Sequence, residues 1–185
     1  MTDSTTTQTQ PITPLDDTPS IYVACLAAYN HGILHGTWID ATEDPEGIME
    51  AIQTMLKASP IAEAEEFAIH DHDGFYGLRL SEWEAIDDVH AYATFIEEYG
   101  KLGAAVLAYN DNDLDEAESM IEDGYAGCYE NLADYAQELT EDTTQIPENL
   151  AYYIDYDRMA RDMELSGDIF TIETDYDEIH VFWNQ

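Results

Sequence analysis

Residues 111–123 read DNDLDEAESMIED, and the reading of this stretch decides whether the middle of the chain is a metal loop or a helix. It holds seven carboxylates in thirteen positions and neither Lys nor Arg. A calcium-binding EF-hand loop needs oxygen ligands at positions 1, 3 and 5, glycine at 6 and glutamate at 12. Asp111, Asp113, Asp115 and Glu122 fall on positions 1, 3, 5 and 12. Glu116, however, stands where the sharp turn needs glycine, and Glu118 where an apolar residue packs. The same residues suit a helix better. Asp113 with Glu116 forms a capping box for a helix through Ile121, which pulls the would-be ligands apart. No second EF-hand accompanies it, so the stretch reads as a capped helix and no metal is expected.

Working outward, the neighbouring segments are helical as well. Ser81 with Glu84 is a second capping box, followed by the apolar stripe Ile86, Val89, Ala93 and Ile96 of a helix running to about Tyr99. GKLGAAVLAYN (100–110) reads as a shorter buried helix. Ahead of these, IYVACLA (21–27) reads as a buried strand, YNHG (29–32) as a turn and GTWID (36–40) as a second strand. Pro45 opens a helix with Ile48, Ile52, Met55 and Leu56 on one face, and EEFAIHDHDGF (65–75) gives a third strand. Together these form a ββαβ unit. Beyond the acidic stretch, GYAGCY (124–129) reads as a short strand and Asn131 caps a helix through Leu139. Asp155 caps a helix to Leu165 that Gly167 ends. DIFTIETDYDEIHVFW (168–183) alternates on both sides of a turn, as a terminal β-hairpin does.

The expected fold class is therefore α+β: a mobile leader at 1–19, an N-terminal α+β domain at 20–84, a central acidic helical domain at 85–122, and a C-terminal α+β domain at 123–185. A hydrophobic fraction of 45% with thirteen Tyr, three Trp and five Phe argues against wholesale disorder. The N-terminus has no basic and apolar signal segment, and no apolar run approaches the roughly 18 residues of a membrane span. A cytoplasmic protein that avoids both nucleic acid and membrane is expected. Cys25 and Cys128 make neither a CxxC site nor a disulfide framework and are expected to be buried thiols.

The net charge is −36, from 41 Asp and Glu against five basic residues. Small soluble domains do well with a charge magnitude of roughly 2–8, and a larger one repels itself. Five cations cannot pair with 41 anions, so salt bridges do not explain the acids. Other chemistry is thinly supported. His31 and His35 are four apart but flanked by Gly32 and Gly36, and His70 and His72 share a strand face with no third and fourth ligand. There is no nucleophile elbow, glycine-rich phosphate loop or cysteine with a base beside it, so neither enzyme nor cofactor is expected.

The acids themselves remain. Between Glu82 and Glu148 the sole cation is Lys101, while carboxylates recur at Asp87, Asp88, Glu97, Glu98, Asp111, Asp113, Asp115, Glu116, Glu118, Glu122, Asp123, Glu130, Asp134, Glu138, Glu141 and Asp142. Helix positions three or four apart stand about 5–6 Å apart at Cβ, a spacing like that of successive phosphates. Such a surface would offer a DNA-binding cleft the field of DNA without its bases. On composition alone this reading and that of a salt-adapted surface both stand. An acidic module for some other basic DNA-binding protein is a further alternative.

The chain also resembles the ArdA family of antirestriction proteins. IYVACLAAYNHGILHGTWID (21–40) is similar to the family's opening strand, Tyr-Asn-x-Gly turn and x-Gly-x-Trp strand, and EEFAIHDHDGF (65–75) to its Ala-Ile-His-Asp segment. ENLADYAQEL (130–139), IPENLAYYIDYDRMARDMELSGDIFTIE (146–173) and the ending EIHVF resemble its C-terminal part. The resemblance implies an elongated chain of three small domains that mimics bent duplex DNA and dimerises through its C-terminal domain. It implies occupation of the DNA-binding groove of type I restriction–modification enzymes, in the methyltransferase core, so that invading plasmids or transposons escape cleavage. On that reading the sixteen carboxylates stand in for phosphates. Tyr22, Trp38, Phe67, Trp83, Tyr92, Phe95, Tyr109 and Tyr153 fill thin cores, and Tyr152, Tyr153, Tyr156 and the hairpin make the dimer contact.

Overall fold

A computed structural model describes residues 18–184, so the expected leader lies almost wholly outside the described residues. The architecture is α+β, with seven helices and two three-stranded antiparallel sheets among these residues. The described residues divide into two compact units, the first ending at Gly100 and the second beginning at Lys101.

In the first unit, β1 (Ser20–Cys25) is the central strand between β2 (Gly36–Asp40) and β3 (Phe67–Asp73). Ile21 pairs with Ile39 and His72, and a bulge interrupts the β1–β3 register after Tyr22. As the middle strand, β1 is buried on both faces, with Ile21, Val23 and Cys25 wholly inaccessible. The expected strand over 21–27 stops short. Cys25 turns the chain into the one-turn helix α1 (Leu26–Asn30), its sulfur accepting the Ala28 N–H at 3.5 Å. Leu, Ala and Ala favour a helix, and a short apolar run does not by its period separate strand from helix. Gly36 is required where β2 begins: a Cβ there would lie 2.5 Å from the Val23 carbonyl and 2.7 Å from the Tyr22 ring.

Helix α2 (Pro45–Lys57) starts as expected, with Pro45 in its first turn, the Asp44 carboxylate accepting from the Gly47 N–H, and Ile48, Ile52, Met55 and Leu56 buried. The Ser81 capping box does not start a helix. Glu84 does reach back to the Ser81 N–H at 2.9 Å, but this closes a turn, and α3 (Ile86–Tyr109) begins five residues after Ser81. Its stripe of Ile86, Val89, Ala93 and Ile96 is buried as expected. At Gly100 the backbone leaves helical geometry, with φ 60° and ψ −138°, so α3 has two arms, 86–99 and 101–109. The division between units falls at this glycine. Helix α3 thus contributes its first arm to one unit and its second arm to the other.

In the second unit, α4 (Leu114–Gly124) leads into β4 (Tyr125–Tyr129), then α5 (Leu132–Thr143), the short α6 (Glu148–Ala151), α7 (Tyr156–Ser166) and the hairpin β5 (Ile169–Asp175) and β6 (Glu178–Trp183). Asp113, Asn131 and Asp155 cap α4, α5 and α7 through the expected side chains, and Gly167 ends α7. The sheet order is β4-β6-β5. On one face Tyr135 of α5 meets Ile169 and Val181, with Leu132, Leu139 and Met163 around them. On the other, Tyr109 stacks on Phe170 at 5.1 Å and Phe170 on Phe182 at 5.3 Å, fastening the second arm of α3 to the sheet. Among the described residues, no helix is long and apolar enough to cross a membrane.

Candidate functional site: an exposed carboxylate surface

Every one of the sixteen nominated carboxylates is exposed. They fall on three helices and the turns beside them. In α4 the apolar side sinks Ala117, while Asp115, Glu116, Glu118, Glu122 and Asp123 face water. Asp113 accepts the Glu116 N–H at 3.2 Å, and Asp111 and Asn112 take left-handed φ values of 53° and 66° that turn the chain from α3 into α4. Asp and Asn tolerate that region better than most residues.

This geometry separates the calcium-loop positions. Asp115 and Glu122 both lie in α4, about 10 Å apart along its axis at 1.5 Å per residue. One calcium ion holds its oxygens at about 2.3–2.6 Å. Among the described residues, no cluster of three or more His, Cys, Asp or Glu is placed to hold a metal ion. The histidines have local partners: His31 bonds the Ala27 carbonyl at 2.8 Å and His35 the Met55 carbonyl at 2.7 Å. His70 lies edge-on to Tyr29, and His72 to Phe75.

The charge density of α4 is that of a nucleic acid strand. Five carboxylates in its eleven residues amount to one per about 3.3 Å of axis, against about 3.4 Å per charge on one strand of B-DNA. In α5, Asp134, Glu138, Glu141 and Asp142 occupy twelve residues, one per about 4.5 Å. The first arm of α3 carries Asp87, Asp88, Glu97 and Glu98, one per about 5 Å.

Placement matters as much as density. Carboxylates favour a helix N-terminus and oppose the C-terminus, by about 0.3–1 kcal/mol each at low ionic strength. Glu122 and Asp123 end α4, and Glu141 and Asp142 end α5; neither helix has a basic residue in its last turn. These acids cost their helices stability.

Two of the five cations pair with carboxylates outside this set. Lys101 donates to Asp175 at 2.6 Å, and Arg158 lies 3.9 Å from Asp162 on α7. The Lys101 bond and the Tyr176 N–H hold the Asp175 carboxyl below its usual pKa. The surface also extends past the nominated set, since Glu46 and Glu50 on α2 and Asp157, Asp162 and Glu164 on α7 are exposed too. For α2 the four-residue spacing of Glu46 and Glu50 was the available sequence signal.

Several expected placements are corrected. Cys25 is buried, but Cys128 is exposed because it sits on edge strand β4, opposite the core-facing side. Tyr92 and Phe95 are buried, and Tyr22, Trp38 and Phe67 partly so. Trp83, Tyr109 and Tyr153 are instead 67%, 58% and 84% exposed. Trp83 lies in the turn before α3, Tyr109 covers Phe170 with one ring face, and Tyr153 follows the short α6. Of the residues nominated for a dimer contact, Tyr152 and Tyr153 are exposed and Tyr156 is half-buried.

No curated protein matches this sequence. The family described as Antirestriction protein (ArdA) matches residues 21–178, from the first strand to the start of the last. The chain belongs to the ArdA family of antirestriction proteins.

Proposed function

We propose that this chain is a non-enzymatic antirestriction inhibitor that presents the charge and shape of bent duplex DNA to a type I restriction–modification enzyme. The observation that carries the reading is α4, whose carboxylates recur at about the axial spacing of charge on a DNA strand and continue into a last turn where they weaken the helix. A DNA-binding cleft lined by Lys and Arg gains much of its affinity for DNA from charge and counterion release. Exposed carboxylates on a folded scaffold offer it the same attraction, with no base to read and no phosphodiester to cut.

On this reading the target surface is the DNA-binding groove of the methyltransferase core, and inhibition is competitive with DNA. The protein acts in the cytoplasm as a homodimer, joined through the C-terminal region with Tyr152, Tyr153 and Tyr156 in the contact, which lengthens the mimic. The segments 20–84, 85–122 and 123–185 form its three successive parts. Escape of an incoming mobile element from cleavage is the biological outcome.

The test is cleavage of unmethylated plasmid by a purified type I enzyme, titrated with this protein, beside a type II endonuclease at the same salt. Loss of type I cleavage at stoichiometric protein with type II cleavage intact is the expected result. Equal inhibition of both enzymes would reduce the protein to a generic polyanion, and inhibition of neither would remove restriction enzymes as its target.

A further inference from the structure

The face of the C-terminal sheet turned away from Tyr135 carries a polar chain that the acidic surface does not use. The Tyr125 hydroxyl lies 2.9 Å from His180 Nδ1, His180 Nε2 lies 3.0 Å from Thr174 Oγ1, and Thr174 Oγ1 lies 3.1 Å from Glu178 Oε2. Donor directions follow from the chemistry of the groups. A carboxylate only accepts, so the single hydroxyl hydrogen of Thr174 goes to Glu178. The Thr174 oxygen must then accept from His180 Nε2–H, which leaves Nδ1 of the neutral ring to accept from the Tyr125 hydroxyl. The chain spans all three strands: Tyr125 on β4, His180 and Glu178 on β6, Thr174 on β5.

The groups around His180 are few. Cys128 is its register partner on β4, and Ile172 its partner on β5. The Tyr125 ring packs at 5.8 Å and itself rests on Phe182. Lys101, from the second arm of α3, is held by Asp175 beside Thr174, and Glu178 supplies the nearest negative charge. Burial pushes the His180 pKa below its ordinary value, and Glu178 opposes the shift only in part. β4 is an edge strand whose one sheet partner is β6, so the Tyr125–His180 bond is a side-chain tie between that edge and the hairpin.

We propose that His180 is a proton-sensitive latch between β4 and the β5–β6 hairpin: neutral, it closes the hydrogen-bond chain from Tyr125 to Glu178, and protonated at Nδ1 it forces Tyr125 from donor to acceptor and loosens the edge strand. The sign follows from linkage. A histidine more acidic in the folded state binds fewer protons there than when unfolded, so its stabilising contribution is full above the unfolded value of about 6.5 and is lost as pH falls through the folded value.

The experiment combines nitrogen-resolved NMR of the imidazole with amide hydrogen exchange of residues 125–129 between pH 7.5 and 5, in the parent, His180→Gln and Tyr125→Phe proteins. The neutral ring is expected as the Nε2–H tautomer, with a titration midpoint below 6.5. Tyr125→Phe keeps the ring packing, removes the donor and raises that midpoint. Intrinsic-rate-corrected protection of β4 in the parent, relative to His180→Gln, should fall with acid by up to about tenfold per pH unit between the two pKa values. An Nδ1–H tautomer, a midpoint at or above 6.5, or identical pH profiles in parent and His180→Gln would overturn the latch. Should His180→Gln fail to fold, the tautomer and the Tyr125→Phe midpoint decide alone.

Discussion

Replacing Glu118, Glu122, Glu138 and Glu141 together by Gln separates the needs of the fold from those of the surface. Within α4 and α5, like charges stand three or four residues apart at Asp115–Glu118, Glu118–Glu122, Asp134–Glu138, Glu138–Glu141 and Glu138–Asp142. The four substitutions relieve all five pairs. At about 0.2–0.5 kcal/mol each, that is about 1–2.5 kcal/mol of added stability. Glu122 and Glu141 also lie in last turns, and removing each charge returns about 0.3–1 kcal/mol more. The variant should therefore be more stable by roughly 2–4 kcal/mol at low salt. The bond from Gln137 to Glu141 survives, since a Gln carbonyl still accepts. Binding should move the other way. A carboxylate facing a cation at 4 Å in water contributes on the order of 1 kcal/mol before salt screening. Four losses then weaken inhibition by about tenfold to a thousandfold. Urea titration reads the first quantity and the type I cleavage titration the second. A variant less stable than the parent would show that these acids serve the fold, and one that inhibits equally well would refute their part in binding.

Other perturbations test the scaffold. Gly36→Ala places a methyl against the Val23 carbonyl and the Tyr22 ring of a central strand, and thermal unfolding should report a loss at the upper end of about 1–3 kcal/mol. The Tyr135 hydroxyl is buried with no hydrogen-bond partner among the described residues, and burial with the neighbouring Tyr129 pushes its pKa up to about 12. Its raised folded value means stability present below pH 10 is lost as pH rises toward 12. Tyr135→Phe should gain about 1 kcal/mol at neutral pH and remove that alkaline loss, as read by urea titration at neutral and alkaline pH. Asp175 is held acidic by Lys101 and the Tyr176 N–H, so its contribution is present above the unfolded carboxyl pKa and lost as pH falls through the lower folded value. In Lys101→Met the Asp175 titration, followed by carboxyl NMR, should move up toward the ordinary range.

What the sequence disclosed depended on whether a feature is local. Asp113, Asn131 and Asp155 mark helix starts because capping satisfies backbone N–H groups within the next few residues, and Pro45 because its fixed φ and missing N–H suit a first helical turn. The alternation at 168–183 needs only its own turn to become a hairpin. Ser81 misled because its side chain closes a turn instead: Glu84 reaches back to the Ser81 N–H as in a capping box, but the Ser81 hydroxyl accepts from the Trp83 N–H, and the Glu84 N–H goes to the Ser81 carbonyl. The chain at Leu26–Asn30 misled because five apolar or neutral residues fit either a strand end or one helical turn. Aromatic identity did not give depth: in small units Trp83 and Tyr153 find no second layer, while Tyr92 does. Exposure of the acids was legible, because unpaired buried charge is too costly to keep. The chain from Tyr125 to His180 was not, since it joins residues 55 apart through a register set by strand pairing.

Mimicry of DNA and adaptation to brine both ask for acids, and salt separates them. The self-repulsion of a −36 charge is screened as ionic strength rises, from a Debye length of about 10 Å at 0.1 M to about 3 Å at 1 M. Added salt therefore stabilises the fold under either reading. The two diverge in function. A salt-adapted protein works best where its fold is firmest, so activity and stability rise together. A charge mimic draws its affinity from the field that salt removes, so inhibition should fall while stability rises on the same samples. The acids ending α4 and α5 already point to the second pattern, because a hydration role sets no requirement on position, whereas these positions cost their helices stability. Measuring unfolding and inhibition across the same salt series gives the sign of each response. Parallel curves would end the mimic reading; curves of opposite slope would leave brine adaptation without a case.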